Sequence, residues 1–592
     1  MNSNKVKEKS FKILFAFTAA LCIVAVIAIF AFLIIKSVPT FRRVGFFEFI
    51  FGKEWKPNVD DGFTGEIKGE YGVFKMIIGT IVATLGSVLV GGVLGFFTAV
   101  FISEFCPKKL KGAFVTVINL LAGIPSVIFG FFGMVVLLPK LGVFSETGSG
   151  SGLLAVSLVL GLMILPTVVS LSKTSIDAVP DSYYEGARAL GATHEQAVFR
   201  AVVPAAKSGI VASIILGIGR AVGETMAVIM VAGNVVEYPK GLFQSFRVLT
   251  ANIVMEMGYA GDLQLGALIS TGVVLLLFIL IINLLTGLVT SGGKKDKTHK
   301  KRSIEPLAKF FHAIKIEKIG KIVAYVSAVI ASIGLISIIL FVCVNGIPHL
   351  TTQLLFGKHS VRNISIFPAI VTTLMTVGIS LVIAVPIGVF TAIFLNEYSK
   401  KGSKIVRVIR SAIDILAGVP SIVYALFGMV TFVAWFNGRQ SILAGSLTIA
   451  IMLLPTVVRS TEESLKSVSD TLREGSLALG AGKVRTIFKV VLPSALPGIA
   501  SAIILAMGRV VSESAPFVYT MGNCLTTMPK GVMSDGTTLA VALYTLAGEG
   551  QYLNEAYATA FVLLVIVLAL NLLANLITKK LDKKLKGSKN GK

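Results

Sequence analysis

Two arginines and two glutamates lie in stretches of sequence that are otherwise apolar. Arg220 is followed four residues later by Glu224, and Arg509 is followed four residues later by Glu513. Residues four apart share one face of an α-helix, so each pair is predicted to lie on a common helix face. A guanidinium group offers parallel N–H donors that match the oxygen atoms of phosphate and similar anions. The pairs could therefore bind a small anion, with each glutamate neutralising its arginine when no anion is bound.

A buried ion pair that only fixes helix packing is the alternative interpretation. Arg220 lies sixteen residues after Pro204, which corresponds to about 24 Å along a helix. A charge this far into a bilayer costs about 2.5–3.5 kcal/mol on insertion scales. Buried ion pairs add little net stability compared with an apolar replacement, so packing alone leaves that cost unexplained. We therefore favour the anion-binding hypothesis.

Two serines provide further candidate positions, each at the end of a stretch that contains glycine and proline. Ser126 ends the sequence LAGIPS, and Ser421 ends LAGVPS. Glycine and proline interrupt helical hydrogen bonding, which a membrane tolerates where the backbone is buried or lines a cavity. The serine hydroxyls and freed N–H groups could contact an oxyanion. A packing kink explains the same residues, and the sequence leaves both interpretations open.

The elements that carry these residues occur twice. Residues 164–234 and 453–523 align at a constant offset, which pairs Arg220 with Arg509, 289 positions later. A repeat of this length predicts two copies of one folded unit, related by an approximate two-fold axis. A ligand on that axis would contact both copies, so the two arginines are expected to face each other across it.

The composition is that of a membrane protein. The chain has 592 residues, of which 54% are hydrophobic and 15% charged, with a mean hydropathy of +0.85, whereas soluble domains carry about 25% charged residues. Its apolar blocks reach the length of about 20 residues that a helix needs to cross a bilayer. We count six blocks in each half and expect about twelve transmembrane helices in an all-α fold with pseudo-two-fold symmetry. The blocks are 13–35, 73–103, 113–138, 153–172, 204–232, 263–290, 319–345, 366–395, 405–436, 441–459, 493–520 and 555–578.

The net charge of +24 is distributed in clusters. With twelve spans, all of the main basic clusters fall on one side of the membrane, which predicts that this side and both termini are cytoplasmic. Because topology accounts for the charge, we do not expect nucleic acid as a partner. The clusters lie at 5–12, 108–111, 294–302, 400–410 and 579–592.

Other classes of site lack their motifs. The four cysteines form no CxxC pair and no histidine cluster accompanies them, so neither a disulfide framework nor a metal site is indicated. The chain has no GxxxxGKS or GxxxxGKT loop, so it is not expected to bind ATP by that route. It also lacks a convincing nucleophile and base. We expect a transport component that is not itself an enzyme and that carries no cofactor of its own.

A polar segment between the fourth and fifth apolar blocks is predicted to form a short helix in each half. Ser182 with Glu185, and Thr471 with Glu474, have the spacing of a capping box, which predicts helix starts at these positions. Gly191 and Gly480 follow six residues after the glutamates, where a helix is expected to end in a glycine with positive φ.

These segments resemble the signature of permease subunits of ABC importers, which reads Glu-Ala-Ala, three residues, Gly, nine residues, Ile, one residue, Leu-Pro. The glutamate, glycine and proline spacing is present in both halves; the second position is glycine in both, and the isoleucine is replaced by Ala201 or Val490. In that family the helix docks into a groove on the ATP-binding subunit, so the resemblance implies that Glu185, Gly191, Glu474 and Gly480 couple the chain to two such subunits. These subunits would bind the ATP and magnesium.

The remaining motifs sharpen the resemblance. The first half is similar to the C subunit of the bacterial high-affinity phosphate importer and the second half to its A subunit, which implies two fused six-helix permease repeats of the type I ABC importer fold. The expected boundaries are 1–290 and 319–592, joined by a basic cytoplasmic linker at 291–318. The resemblance implies a bacterial plasma-membrane location, an extracytoplasmic phosphate-binding protein as donor, and it allows association with a phosphate-signalling regulator.

Two alternatives stay open. Another tetrahedral oxyanion, such as sulfate or molybdate, suits a pair of arginines as well as phosphate does. A secondary anion transporter with two six-helix repeats is the other alternative, although such a carrier would have no partner to receive the two short helices.

Overall fold

The structure is a computed structural model that describes residues 2–57, 69–146, 148–291, 316–360, 363–399, 403–523, 525 and 528–587. The predicted linker at 291–318 lies outside the described residues except for its ends, and so do the basic residues at 294–302, 400–402 and 588–592.

The described chain is almost entirely helical, and one antiparallel pair of two-residue strands, β1 (Trp55–Lys56) and β2 (Glu70–Tyr71), accompanies the helices. The helices before the linker are α1 (Asn2–Val44), α2 (Phe46–Phe51), α3 (Phe74–Ser87), α4 (Val93–Val100), α5 (Lys108–Ala122), α6 (Ser126–Phe132), α7 (Leu138–Gly142), α8 (Leu153–Asp177), α9 (Asp181–Ala189), α10 (His194–Ala197), α11 (Val203–Ala205), α12 (Lys207–Gly223), α13 (Met226–Ile229), α14 (Leu249–Glu256) and α15 (Asp262–Ser291). Those after the linker are α16 (Ile316–Gly346), α17 (Thr352–Phe356), α18 (Phe367–Ile393), α19 (Lys404–Gly418), α20 (Ser421–Gly428), α21 (Ile442–Lys466), α22 (Asp470–Ala478), α23 (Lys483–Thr486), α24 (Leu492–Ser512), α25 (Ala515–Thr520), α26 (Leu539–Gly548) and α27 (Leu553–Gly587).

The all-α transmembrane fold is confirmed, with fewer uninterrupted spans than the apolar blocks suggest. Among the described residues, nine helices are long and apolar enough to cross a membrane, and the number rises to eleven if two bent helix pairs each count as one span. The difference from twelve lies in the block 113–138, where the chain breaks after α5 and the apolar helix Ser126–Gly142 is short. In the second half the equivalent break bends α19 and α20 by 98°, as expected where glycine and proline remove helical hydrogen bonds.

Irregular turns recur at equivalent places in the two halves. π-helical turns follow α4 and α18 at Phe101–Phe105 and Phe394–Tyr398. Another pair precedes the fifth span, at Val198–Val202 and Ile487–Val491. The repeat seen in the sequence therefore extends to local departures from regular helix.

The chain forms two compact units, which differ from the sequence halves. The first-repeat unit comprises 44–255 and 274–344, and the second-repeat unit comprises 1–43, 256–273 and 345–592. The first long helix of each half therefore belongs to the compact unit of the other half. The predicted boundaries at 1–290 and 319–592 therefore describe the repeat in the sequence and differ from the bounds of the compact units.

Polar and aromatic contacts attach α1 within the second-repeat unit. The Glu8 carboxylate accepts a hydrogen bond from the backbone N–H of Lys483 at 2.9 Å, at the start of α23. The ring of Phe11 lies 5.3 Å from that of Phe488, measured between centroids. Because the residue before α23 is Gly482, which has no side chain to cap the helix, Glu8 supplies the missing acceptor.

In the first-repeat unit, α16 makes corresponding contacts. The Lys321 ammonium donates to the Glu195 carboxylate at 2.9 Å, and Glu317 forms an ion pair with Arg200. Both α1 and α16 therefore contact the segment that follows the short polar helix of the compact unit to which they belong.

Close helix packing in the core depends on glycine at particular positions. A Cβ atom added to Gly388 in α18 would lie 2.6 Å from Cγ1 of Val457 in α21, closer than van der Waals contact allows. Gly378, on the same helix, has no heavy atom within 4 Å of an added Cβ. Substitutions at the two glycines therefore distinguish the effect of close packing, which applies only at Gly388, from the effect of helix propensity, which applies at both.

We expect Gly388→Leu to destabilise the chain and Gly378→Leu to leave its stability unchanged or slightly raised. Overpacking costs about 1–3 kcal/mol, whereas the gain in helix propensity is about 0.5–1 kcal/mol at both sites. The measurement is the thermal unfolding midpoint of each purified variant in detergent. Equal midpoints for the two variants would contradict the packing assigned to Gly388.

Candidate functional site

The helix breaks between arginine and glutamate in both repeats. The helix α12 ends at Gly223 and α24 ends at Ser512, so that Glu224 (ψ 137°) and Glu513 (ψ 144°) follow in extended backbone. Each of these helices therefore ends at its glutamate and does not continue past it. In the second repeat the N–H of Glu513 still donates to the carbonyl of Arg509 at 3.1 Å, so that pair keeps the predicted common face. In the second repeat Pro516 stands near the start of the next helix and lacks the N–H that a continuous helix would bond to Ser512.

Each arginine contacts a threonine on another long helix of its own repeat, which is α8 in the first repeat and α21 in the second. Nη1 of Arg220 donates to Oγ1 of Thr167 at 2.8 Å, and Nη1 of Arg509 donates to Oγ1 of Thr456 at 3.2 Å. We call these the two arginine–threonine clusters. The sequence reasoning did not identify the threonines, although both stand in the repeated motif LPTVV.

The glutamates have different surroundings in the two clusters. Oε1 of Glu513 lies 3.7 Å from Nε of Arg509, so an ion pair forms despite the helix break. Oε1 of Glu224 accepts a hydrogen bond from the backbone N–H of Ala227 at 3.4 Å, and its carbonyl accepts one from the Thr250 hydroxyl at 2.9 Å. The two glutamates therefore make different hydrogen bonds and ion-pair contacts in the two repeats.

Both threonines stand on rigid backbone. Val168, the residue after Thr167, packs against two glycines. A Cβ atom added to Gly95 would lie 3.0 Å from Cβ of Val168, and one added to Gly217 would lie 3.1 Å from its Cγ2. In the second repeat the equivalent residue, Val457, packs on Gly388. This packing holds the turn that carries each threonine and thereby limits where its hydroxyl can point.

The two predicted serines begin the second half of each broken span. Ser126 is the first residue of α6 and Ser421 the first residue of α20, and a proline precedes each. Among the described hydrogen bonds, none joins either serine to an arginine. Three residues after Ser421, the buried hydroxyl of Tyr424 donates to the carbonyl of Leu416 at 2.8 Å across the break.

The short polar helices begin one residue before the predicted capping boxes. The helices α9 and α22 start at Asp181 and Asp470, which puts Ser182 and Thr471 inside the first turn. Both capping-box predictions are therefore wrong. In the second repeat the hydroxyl of Ser469 caps the helix instead, accepting from the N–H of Thr471 at 3.3 Å.

The predicted ends of these helices are confirmed. Gly191 has φ +87° and Gly480 has φ +78°, a conformation in which a Cβ atom would be strained. The preceding residues, Leu190 and Leu479, are 91% and 90% exposed. Glu185 and Glu474 are also exposed, so each helix presents an acidic residue and an apolar residue on its surface.

A separate cavity lies in the second-repeat unit, outside the arginine–threonine cluster. It has a volume of about 720 Å³, and Arg439, Gln440, Tyr519 and Asp535 are among its lining residues, whereas Arg509 is not. Arg439, Gln440 and Asp535 come from loops, and Tyr519 comes from α25. We assign no role in anion binding to it, because the intramembrane charges lie elsewhere.

Comparison with known proteins identifies the family. The family model for binding-protein-dependent transport system inner membrane components matches residues 91–292 and 384–587, once in each repeat. The phosphate transport system permease protein PstA homolog of Mycoplasma pneumoniae is 29% identical over 524 residues, which cover 76% of this chain and 77% of the relative. That stretch is longer than either repeat.

Two relatives match shorter parts of the chain. The phosphate transport system permease protein PstC of Pasteurella multocida is 31% identical over 301 residues, which cover 46% of this chain and 91% of the relative. The phosphate transport system permease protein PstA 1 of Mycobacterium tuberculosis strain H37Rv is 39% identical over 205 residues, which cover 33% of this chain and 66% of the relative. The chain therefore belongs to the family of binding-protein-dependent transport system inner membrane components, carries that family's domain twice, and is a multi-pass permease subunit of an ABC transporter.

Proposed function

We propose that the chain is the membrane-spanning permease of an ATP-driven importer of inorganic phosphate. The observation that carries this proposal is the arginine–threonine cluster, which places a fixed cation inside an apolar bundle in each repeat. The names of the relatives support phosphate as the anion. Any tetrahedral oxyanion would satisfy the charge, so the choice of phosphate rests on those names.

In this proposal each guanidinium binds phosphate oxygens during passage. Hydrogen bonds to charged groups contribute about 1.5–3 kcal/mol each, which offsets part of the cost of moving an anion out of bulk water. In the second-repeat unit, Glu513 lies 3.7 Å from Arg509 and reduces the net positive charge. The carboxylate thereby keeps the site from holding the anion too tightly to release it. Ser126 and Ser421 remain candidates for further donors.

ATP hydrolysis would be coupled through the two short polar helices, which we place on the cytoplasmic side with both termini. Neither α9 nor α22 has a buried residue, and Leu190 and Leu479 are almost fully exposed. A short helix with an exposed apolar residue suits a groove on a partner protein. We propose two ATP-binding subunits as those partners, and an extracytoplasmic phosphate-binding protein as the donor.

Reconstituted vesicles test the proposal. Vesicles that contain the purified chain and its ATP-binding subunits, supplied with the binding protein, should import labelled phosphate only when ATP is present on the side of the membrane that carries the ATP-binding subunits. Arsenate should compete and sulfate should not. Inhibition by sulfate alone would transfer the assignment to another oxyanion, and uptake that follows a proton gradient without ATP would indicate a secondary transporter.

We expect Arg220→Ala, and separately Arg509→Ala, to reduce phosphate uptake at least about tenfold. Each change removes hydrogen bonds to the anion that are worth about 1.5–3 kcal/mol apiece. Uptake per assembled complex is the measurement, and copurification with the ATP-binding subunits should be unchanged. Gly219→Ala and Gly508→Ala are matched controls, because an added Cβ at either position has no heavy atom within 4 Å. Wild-type uptake in both arginine variants would reduce these residues to a packing role.

We expect Glu185→Lys and Glu474→Lys to weaken binding of the ATP-binding subunits or to uncouple ATP hydrolysis from uptake. Both carboxylates are exposed on the short polar helices, so the changes reverse charge on the proposed docking surface without disturbing the core. The measurements are the fraction of chain that copurifies with the subunits and the phosphate imported per ATP hydrolysed. Glu549→Lys, exposed at the end of α26, is the control; an equal effect there would contradict the assignment.

A further inference from the structure

We propose that Thr167 and Thr456 are positioning residues of the anion site: each fixes the orientation of its arginine and directs its own O–H toward the bound anion. The proposal rests on the function proposed above and adds two residues to it. Both threonines occupy the same place in the repeat, after the proline of LPTVV.

The contacts are made on the same guanidinium nitrogen in both repeats. Nη1 of Arg220 lies 2.8 Å from Oγ1 of Thr167, and Nη1 of Arg509 lies 3.2 Å from Oγ1 of Thr456. A guanidinium carries five N–H donors in a fixed plane. Holding one nitrogen in place therefore restricts the directions that the other donors can take.

Accessibility singles out the threonines on their helix turns. From 163 to 169 every residue is buried except Thr167, and from 452 to 458 every residue is buried except Thr456. Thr167 and Thr456 are half-buried, as are Arg220 and Arg509. A polar hydroxyl and a guanidinium that share an accessible surface are expected to face the interior path and not lipid.

Hydroxyl chemistry supplies the second part of the proposal. Threonines elsewhere in the spans donate to the carbonyl four residues earlier, as Thr448 does to Ala444 at 2.8 Å and Thr376 does to Thr372 at 2.8 Å. In the clusters the hydroxyl oxygen instead accepts a hydrogen bond from the arginine. A hydroxyl that accepts still has one proton to donate, and a bound phosphate oxygen is an acceptor within the same site.

The test compares valine and serine at both threonines. Valine keeps the shape and removes the hydroxyl, whereas serine keeps the hydroxyl. We expect Thr167→Val and Thr456→Val to lower the uptake of labelled orthophosphate about tenfold per assembled complex, with the amount of copurified ATPase unchanged. Thr167→Ser and Thr456→Ser should stay within about twofold of the parent chain. The control is Thr448→Val, on the same helix as Thr456 but bonded to its own backbone.

The outcomes separate the threonine proposal from the function itself. Parent-like uptake in the valine variants, or serine variants as slow as the valine variants, would overturn the role of the hydroxyl while leaving phosphate import intact. A parent chain that imports no phosphate would overturn both. If a valine variant fails to assemble, the serine variant still decides, because a required hydroxyl predicts uptake and a required methyl predicts its loss.

Discussion

A guanidinium group inside an apolar helix bundle must be held by polar partners, and that requirement organises both repeats. Arg220 and Arg509 each take a threonine on the neighbouring span as a partner. The helix then stops within one turn, where the glutamate follows in extended backbone. Tight packing of Val168 and Val457 on glycine fixes the turn that carries the threonine. The polar site and the apolar core are therefore built from adjacent residues of the same helices.

Two breaks in the backbone recur in both repeats. The third span breaks before Ser126 and Ser421, and the fifth breaks before Glu224 and Glu513. In a bilayer an unpaired backbone group is costly unless protein or water satisfies it. Tyr424 shows one solution, because its hydroxyl bonds the carbonyl of Leu416 across a break. Its equivalent in the first repeat is Phe129, so the two copies solve the same problem differently.

Sequence patterns predicted the features that depend on local chemistry and on repetition. Helical content, the duplication and the glycine ends at Gly191 and Gly480 follow from hydropathy, spacing and the cost of positive φ. The threonine partners were missed because each lies 53 positions from its arginine within a motif that otherwise belongs to a buried span. The helix breaks at the glutamates were missed because a spacing of four was taken to mean continuous helix.

The sequence alone also did not predict that α1 and α16 each belong to the compact unit of the other half. This arrangement affects how the protein is synthesised and inserted. Glu8 bonds Lys483 across 475 positions of chain. During translation α1 emerges first, yet Lys483 leaves the ribosome only after most of the polypeptide has been synthesised. Contacts of such long range are slow to close. Gly266 and Phe390, which also pack against α1, are made earlier and can cover part of it before then. Because both copies belong to one polypeptide, every α1 is made together with the segment that carries Lys483.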